Sequence, residues 1–247
     1  MRKYDGRMRI YLTLACNLKC PFCVNRAVPD HKAFQKLPAE TWAKIIRDSR
    51  RNVVLTGGEP FLYPELIKLV NMIDRKQEVR VYSNLTLPVD DFVRYVKRPV
   101  YFMVSYHPGG GSLSAFEDIV RRLAVRKDFR GNIHAIDWKG QSNEVRRLHA
   151  QLKALPWPFN IEADQKVQFS EMSSHRHRRK VRCSNKNILV APDGVRYPCV
   201  STLLRGLHPQ EALTKEPLRG DTVTIDCTDW GYCAACDGLT ERKLEWR

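Results

Sequence analysis

The chain lacks several features that would place it in other protein classes. It has no apolar run near the roughly 20 residues that a membrane-spanning helix needs. Residues 1–7 are polar and precede no apolar signal region, and no internal repeat or low-complexity segment stands out. We therefore expect a soluble, cytoplasmic protein with no membrane partner. Its 247 residues, 43% of them hydrophobic, suffice for one large domain with a small appendage.

Cysteines are present but are not arranged as a disulfide framework. The eight cysteines form two groups, within residues 16–23 and 183–236, with about 160 residues between them. The cytosol keeps thiols reduced. These groups therefore favour metal ligation or redox chemistry.

Acidic residues are outnumbered by basic ones, which gives a net charge of +15. This excess fits either simple solubility or an anionic partner such as RNA, DNA, a nucleotide or an acidic peptide. The densest basic run, residues 175–180, has no interleaved aromatic side chains of the kind that stack on bases. The run therefore fits a solvated loop as well as a binding surface.

Three cysteines near the start of the chain follow the spacing C-x3-C-x2-C: Cys16, Cys20 and Cys23. Three thiolates on one short loop can hold three irons of a [4Fe–4S] cube and leave the fourth iron open. A structural site normally has four protein ligands, so a site with three is open to chemistry. The alternative is a zinc site with a distant fourth ligand.

Strand and helix patterns alternate along the first two thirds of the chain. Such alternation is typical of parallel strands joined by right-handed crossovers, as in an α/β barrel or an open doubly wound sheet. The predicted strands are 8–14, 52–56, 78–82, 100–105, 132–137 and 159–162, and the predicted helices 38–48, 65–75, 89–97, 113–125 and 143–155.

Polar motifs follow the first four predicted strands. They are the cysteine triplet, Gly57-Gly58-Glu59-Pro60, Ser83-Asn84 and Ser105-Tyr106-His107. Active residues lie at the carboxyl ends of parallel strands in both candidate folds. We therefore expect these motifs to share one site.

The alternation ends near residue 165. Residues 166–182 are polar and basic, and two short apolar runs then flank Pro192-Asp193-Gly194. Asp-Gly is a strong turn signal, so a β-hairpin is predicted there. A cysteine stands on each side of this hairpin, an arrangement that can hold a metal or a cluster.

The cysteine triplet followed by Gly57-Gly58-Glu59-Pro60 resembles the radical S-adenosylmethionine (SAM) enzymes over residues 8–165. The resemblance implies a partial (β/α)6 TIM-like barrel over residues 1–165, with a [4Fe–4S] cluster held by Cys16, Cys20 and Cys23. It also implies that SAM binds the open iron. The implied cofactor contacts are Phe22, Gly57, Gly58, Glu59, Pro60, Ser83, Asn84, Ser105 and His107.

The second cysteine group resembles the twitch domain, a smaller relative of the SPASM domain that carries one auxiliary cluster. Residues 166–247 would form it as a β-hairpin and helix unit. The resemblance gives Cys227 no place, so Cys227 is either a buried thiol or exchanges with one ligand. The implied ligands of an auxiliary [4Fe–4S] cluster are Cys183, Cys199, Cys233 and Cys236, with a zinc site as the alternative.

These resemblances imply a radical SAM oxidoreductase that forms a 5′-deoxyadenosyl radical and abstracts hydrogen from a small polar or anionic substrate. The nearest functional type is a dehydrogenase of an aminocyclitol-like alcohol, reduced by flavodoxin or ferredoxin. The alternatives are a maturase of a ribosomal peptide, for which we would expect a separate partner to supply leader binding, and a nucleotide- or nucleic-acid-modifying enzyme. A non-enzymatic alternative is a basic zinc protein that binds nucleic acid.

Overall fold

A computed structural model describes most of the chain. The described residues are 6–20, 23, 25, 32–107, 110–137, 150–163, 179–186, 188–230 and 242–246.

An eight-stranded sheet organises the described residues. Six strands lie side by side in chain order and are all parallel, which is the order in which a barrel is wound. The fold is therefore the predicted α/β partial barrel. The six strands are β1 (Arg7–Thr13), β2 (Asn52–Gly57), β3 (Val79–Ser83), β4 (Val100–Tyr106), β5 (Phe129–Asp137) and β6 (Phe159–Ala163).

Helices between these strands cover one face of the sheet. The first of them buries Trp42, Ile45 and Ile46, and it ends where Arg50 adopts a left-handed conformation. Residues 150–153 are also helical, but most of the helix predicted over 143–155 lies outside the described residues. The helices are α1 (Ala39–Ser49), α2 (Leu66–Met72), α3 (Asp90–Tyr95), α4 (Leu113–Ala124) and, further along the chain, α5 (Val200–Arg205).

The two faces of the sheet differ in burial. In β4, Val100, Phe102 and Val104 are buried in the main apolar core, whereas Tyr101 and Met103 on the other face are half-buried. Successive side chains of a strand point to opposite faces. One face is therefore the packed core, and the other presents half-buried polar and aromatic side chains.

The predicted element boundaries hold with small shifts. The fifth strand begins at Phe129 instead of residue 132, because Phe129 is buried in the core and its ring makes tilted and edge-on contacts with Phe92 and Phe102. The second helix is shorter than predicted, and a 3-10 turn over Pro60–Leu62 precedes it.

The predicted hairpin forms, and it extends the main sheet. Its strands are β8 (Ile188–Val190) and β9 (Arg196–Tyr197), which are antiparallel to each other. Gly194 makes the turn with a φ of 81°. Strand β8 pairs in parallel with β1, so it adds a seventh parallel strand. The division at residue 165 stays a prediction.

A second sheet follows, which the sequence analysis missed. It contains β7 (Arg179–Asn185) between β10 (Val223–Trp230) and β11 (Arg242–Trp246), all antiparallel. Their alternating pattern is short and is interrupted by charged residues. Among the described residues, no helix combines the length and apolar character needed to cross a membrane.

Candidate active site

The cysteine loop is held against the loop that follows β2. Beyond the strand ends, the Gly58 N–H donates to the Thr13 carbonyl at 2.8 Å, and the Glu59 N–H donates to the Ala15 carbonyl at 2.9 Å. These two bonds continue the β1–β2 pairing past the last strand residues. They bring Glu59 next to the start of the cysteine loop.

Gly57 and Gly58 make this approach possible. A Cβ on Gly58 would lie 2.1 Å from the Ala15 carbonyl oxygen, and one on Gly57 would lie 2.0 Å from that of Thr13. Gly57 also has a φ of 142°, which side chains rarely tolerate. The two glycines therefore let two loops of this chain touch, a role in addition to the predicted cofactor contact.

Glu59 is almost fully buried, with 1% of its surface exposed. One carboxylate oxygen accepts the Phe61 N–H at 3.0 Å and the Ser83 hydroxyl at 2.9 Å, and the other accepts the Asn84 N–H at 2.9 Å. Burial raises the pKa of the carboxyl, and these three donors oppose that rise. The loop after β3 thus fixes the acid that follows β2.

Cys16 lies close to Glu59 and Asn84. Its Sγ accepts the Leu18 N–H at 3.4 Å and lies 3.7 Å from the Asn84 side-chain amide. The pKa of Cys16 is raised, chiefly by burial and further by the charges of Glu59 and Cys23, while the two donors lower it. The predicted residues Cys16, Cys23, Glu59 and Asn84 therefore meet at one place.

Cys20 meets the loop that follows β4. Its Sγ lies 3.4 Å from Nδ1 of His107, and the Cys23 N–H donates to the Cys20 carbonyl at 3.2 Å. Burial lowers the pKa of His107 to about 4, so its imidazole is neutral at pH 7.

The donor set fits a positively charged group. Burial is the main cause of the raised pKa of Cys16, and repulsion by the charges of Glu59 and Cys23 adds to it. A cationic iron centre or an ammonium group placed among them would relieve that repulsion. Within the part of the chain that the structure describes, no three His, Cys, Asp or Glu side chains converge as ligands of one metal ion.

The structure adds residues that the sequence analysis did not single out. Asn17 accepts the Asn84 amide at 3.1 Å and donates to the Thr86 hydroxyl at 2.6 Å, which ties the cysteine loop to the loop after β3. Asn17 lies inside the cysteine triplet and Thr86 two residues past Asn84. Their positions next to the predicted motifs were the only sign in the sequence that Asn17 and Thr86 belong to the site.

One predicted contact, Ser105, stands apart from this group. Ser105 lies on β4 opposite His134 of β5. Among the described residues, no hydrogen bond joins Ser105 to the other predicted site residues. Phe22 lies outside the described residues.

A cavity of about 130 Å³ opens beside the site. Polar groups of Asn84, Thr86, His107 and Ser112 line one part of it, and apolar side chains such as Phe116 line another. The cavity therefore extends the site toward the amino end of α4, where Ser112 caps the helix.

The described cysteines of the second group lie on different elements. Cys199 caps α5, and its Sγ accepts the Thr202 N–H at 3.5 Å while Thr202 caps it in return. Cys183 of β7 pairs with Ile225 of β10, so Cys227, two residues further along β10, is on the same face of that sheet. Cys233 and Cys236 lie outside the described residues.

The fold and the site together define a class of protein: an α/β partial barrel with a cysteine loop and a buried glutamate at the carboxyl ends of adjacent parallel strands. The family model described as the Radical SAM superfamily matches residues 10–138. The chain therefore belongs to the radical SAM superfamily and is a radical SAM enzyme. Membership implies SAM and a [4Fe–4S] cluster.

Curated relatives share part of the chain. The 7-carboxy-7-deazaguanine synthase of Clostridium acetobutylicum is 27% identical over 104 residues, which are 40% of this chain and 47% of that protein. The PqqA peptide cyclase of Gluconobacter oxydans is 36% identical over 78 residues, 30% of this chain and 21% of that protein. The matches thus span less than half the length of either relative.

One further relative and one solved structure add to this picture. The probable GTP 3′,8-cyclase of Methanopyrus kandleri is 31% identical over 98 residues, 36% of this chain and 31% of that protein. The crystal structure of BtrN in complex with AdoMet and 2-DOIA has a TM-score of 0.52 at 16% identity, covering 87% of this chain and 81% of BtrN. The BtrN likeness shows the fold.

Proposed function

We propose that this radical SAM enzyme abstracts a hydrogen atom from a small polar or anionic substrate, with help from an auxiliary [4Fe–4S] cluster. The [4Fe–4S] cluster and SAM supply the chemistry: reductive cleavage of SAM yields methionine and a 5′-deoxyadenosyl radical. Cys16, Cys20 and Cys23 hold the first cluster. The protein's share is binding, orientation and exclusion of water.

The observation that carries the proposal is the position of the Glu59 carboxylate beside Cys16. An ionised carboxylate has about four acceptor positions, and three protein donors use three of them. One acceptor position is left on the oxygen that Asn84 contacts. The amino group of the SAM methionine is a donor of the right charge for it.

Ser83 and Asn84 serve this site by fixing Glu59. Both donate to its carboxylate, and the side chain of Asn84 also approaches Cys16. Pro60 begins the 3-10 turn that directs the Phe61 N–H at the same carboxylate. A single network therefore sets the positions of the acid and the first cysteine relative to each other.

The half-buried face of the sheet, opposite the apolar core, favours a polar substrate. In register across three strands lie Tyr82, Met103 and Asn132, and nearer the site lie Ser105 and His134. Hydroxyl, amide and imidazole groups on a half-buried face suit a ligand with several hydroxyl or amino groups.

Positive charge on the same face supports an anionic substrate. Arg9, Arg80 and Arg130 occupy one register row toward the amino ends of the strands. Arg9 lies 5.6 Å from the ring of Tyr82, and Arg80 lies 4.7 Å from that of Tyr101. Arg80 also pairs with Glu78 at 2.5 Å, and the net charge of +15 attracts anions to the protein as a whole.

The auxiliary cluster is supported by two of its four proposed ligands. The Thr202 N–H that Cys199 accepts stabilises a thiolate at that position. Cys183 is half-buried on β7, and we propose Cys233 and Cys236 as the other ligands. Cys227 shares the face of Cys183, so it is the thiol best placed to exchange with one of the four.

A dehydrogenase-type reaction on a small molecule is favoured within this proposal. BtrN, whose fold this chain shares, was crystallised with a second small molecule beside AdoMet. The curated relatives are named for nucleotide and peptide substrates, so those two classes are the alternatives. An acidic electron donor such as flavodoxin or ferredoxin suits Lys19, which is exposed within the cysteine loop.

The test is label transfer from a deuterated substrate panel into 5′-deoxyadenosine. The panel contains an aminocyclitol, GTP, a precursor peptide and an RNA oligonucleotide, each incubated anaerobically with reconstituted protein, SAM and a reductant. We expect deuterium in 5′-deoxyadenosine from the aminocyclitol. Label from the peptide or the nucleotides alone would select that alternative, and a colourless zinc-loaded protein that forms no 5′-deoxyadenosine would contradict the enzyme proposal.

A further inference from the structure

The loop after β4 reaches across to the cysteine loop. The Sγ of Cys20 and Nδ1 of His107 are 3.4 Å apart, although 87 residues separate them in the chain. His107 is the first residue past β4, and the Gly110 N–H donates to its carbonyl at 2.8 Å. The backbone turn therefore fixes the position of the His107 main chain, from which the imidazole extends.

Gly110 sets the distance between the two loops. A Cβ at this position would lie 3.0 Å from Cδ1 of Leu18 in the cysteine loop and 3.0 Å from the His107 carbonyl oxygen. Either contact is tighter than ordinary van der Waals packing. The glycine thus allows the loop after β4 to pack directly on the cysteine loop and brings the imidazole to Cys20.

The position of the imidazole proton decides whether the contact between Cys20 Sγ and His107 Nδ1 is a hydrogen bond. A cysteine that binds iron does so as a thiolate, which has lone pairs and no proton to donate. The sulfur–nitrogen contact is then a hydrogen bond only if Nδ1 carries the proton.

We propose that His107, with its proton on Nδ1, donates a hydrogen bond to the Cys20 thiolate and thereby raises the reduction potential of the cluster. The inference rests on the proposed function, in which Cys20 is a cluster ligand. His107 is then a positioning residue for the cluster instead of a direct contact of SAM.

The physical reason is the stabilisation of the reduced cluster. A reduced cluster carries one more electron, and N–H groups directed at its thiolates stabilise that extra negative charge. Cys16 already receives the Leu18 N–H, a main-chain donor that substitution cannot readily remove. The donor to Cys20 comes from a side chain outside the loop, so it can be changed without touching Glu59.

Three variants separate donor position from side-chain bulk. His107→Asn keeps an N–H at the δ position, His107→Gln moves it one carbon further out, and His107→Phe removes it while keeping a ring. The midpoint potential of each anaerobically reconstituted full-length protein is measured by a redox titration followed by electron paramagnetic resonance, without SAM. Parallel samples with SAM identify which signal belongs to the SAM-binding cluster.

We expect the potential of His107→Phe to become more negative, with about a tenfold fall in the ratio of reduced to oxidised cluster at a fixed potential. That fall corresponds to about 59 mV for a one-electron couple. His107→Asn should stay near the wild-type potential, and His107→Gln should shift toward the Phe variant.

Equal potentials for all four proteins would overturn the inference, as would a shift in the Asn variant as large as that in the Phe variant. If the Phe variant holds no cluster, the Asn and Gln variants decide: equal potentials overturn the inference, and a lower potential for Gln supports it. A wild-type protein with no SAM-responsive signal would instead mark failure of the proposed function.

Discussion

The two cysteine groups of this chain differ in how the fold supports them. Cys16, Cys20 and Cys23 lie on one loop, and three other loops contact that loop through Glu59, Asn84 and His107. The described cysteines of the second group are spread over β7, the start of α5 and β10.

The first cysteine group lies where parallel strands of the main sheet end, whereas the described cysteines of the second lie on elements outside that row of strands. Parallel strands end at a common edge, so the loops after β1 to β4 must meet there. The described cysteines of the second group share no such edge. Cys183 and Cys227 lie on two strands of the second sheet and Cys199 caps α5, so each position depends on a separate local interaction.

The largest expected effect is at the first group. Replacing Cys16, Cys20 and Cys23 together by Ala removes all three proposed thiolates, so 5′-deoxyadenosine formation should fall to background. Iron per chain should fall from roughly eight to roughly four atoms if both clusters fill. Iron analysis and chromatographic assay of 5′-deoxyadenosine measure the two results.

Circular dichroism provides the control for folding in that variant. An unchanged spectrum with undiminished SAM cleavage would exclude the loop as the site of the cluster that cleaves SAM.

The next effect is at the second group, in the double variant Cys183→Ala and Cys199→Ser. Serine keeps an oxygen that caps α5 at the Thr202 N–H, so the helix should stay intact while two thiolates are lost. We expect iron to fall by about half, SAM cleavage to persist, and net product to disappear. Unchanged iron content would show that these residues hold no cluster.

Much of the first region could be predicted from the sequence because its signals are local and periodic. Alternating strands and helices, and polar motifs at strand ends, were enough to place Glu59, Asn84 and Cys16 together. The contact of His107 with Cys20 was not predictable, because it depends on how closely Gly110 lets two loops pack. That distance is a tertiary property.

The positions of the second cysteine group were harder to predict from the sequence, for a physical reason. Strands β7, β10 and β11 are antiparallel and distant in sequence, and their register decides that Cys183 and Cys227 share a face. Register is set by pairing partners, which no single strand encodes. The hairpin turn at Asp193 and Gly194 was predictable, whereas the pairing of its first strand with β1 was not.

A third variant tests the contact between the loops after β1 and β2 without changing a proposed ligand. Gly58→Ala places a methyl group 2.1 Å from the Ala15 carbonyl oxygen, so the loops must separate. We expect a loss of about 3 kcal/mol in the free energy of unfolding and a loss of SAM binding. Urea denaturation and equilibrium dialysis with SAM measure these.

Gly111→Ala is the matched control for Gly58→Ala. Its added Cβ would meet only a methyl group of Thr86 at 3.8 Å, an ordinary contact on the same side of the sheet. Equal losses in both variants would mean that the β1–β2 loop contact has no special part in the site.

The smallest expected effect concerns one atom of the Glu59 carboxylate. In Glu59→Gln, one side-chain oxygen can still accept the Phe61 N–H and the Ser83 hydroxyl, but an amide NH₂ then faces the Asn84 N–H. A donor opposite a donor costs about 1–3 kcal/mol when buried. SAM affinity should fall about tenfold, which is about 1.4 kcal/mol, because the acceptor left for its amino group is lost.

Glu65→Gln separates this effect from a general loss of a carboxylate. Glu65 also accepts a main-chain N–H, that of Ala39 at 2.9 Å, but it is half-buried at the start of α2, and among the described residues no hydrogen bond joins it to the cysteine loop. Isothermal titration with SAM should therefore distinguish the two variants, with Glu65→Gln binding as the wild type does. Equal affinities for all three proteins would mean that Glu59 holds the two loops together without contacting SAM, and the cysteine loop would then bind its cofactor through other groups.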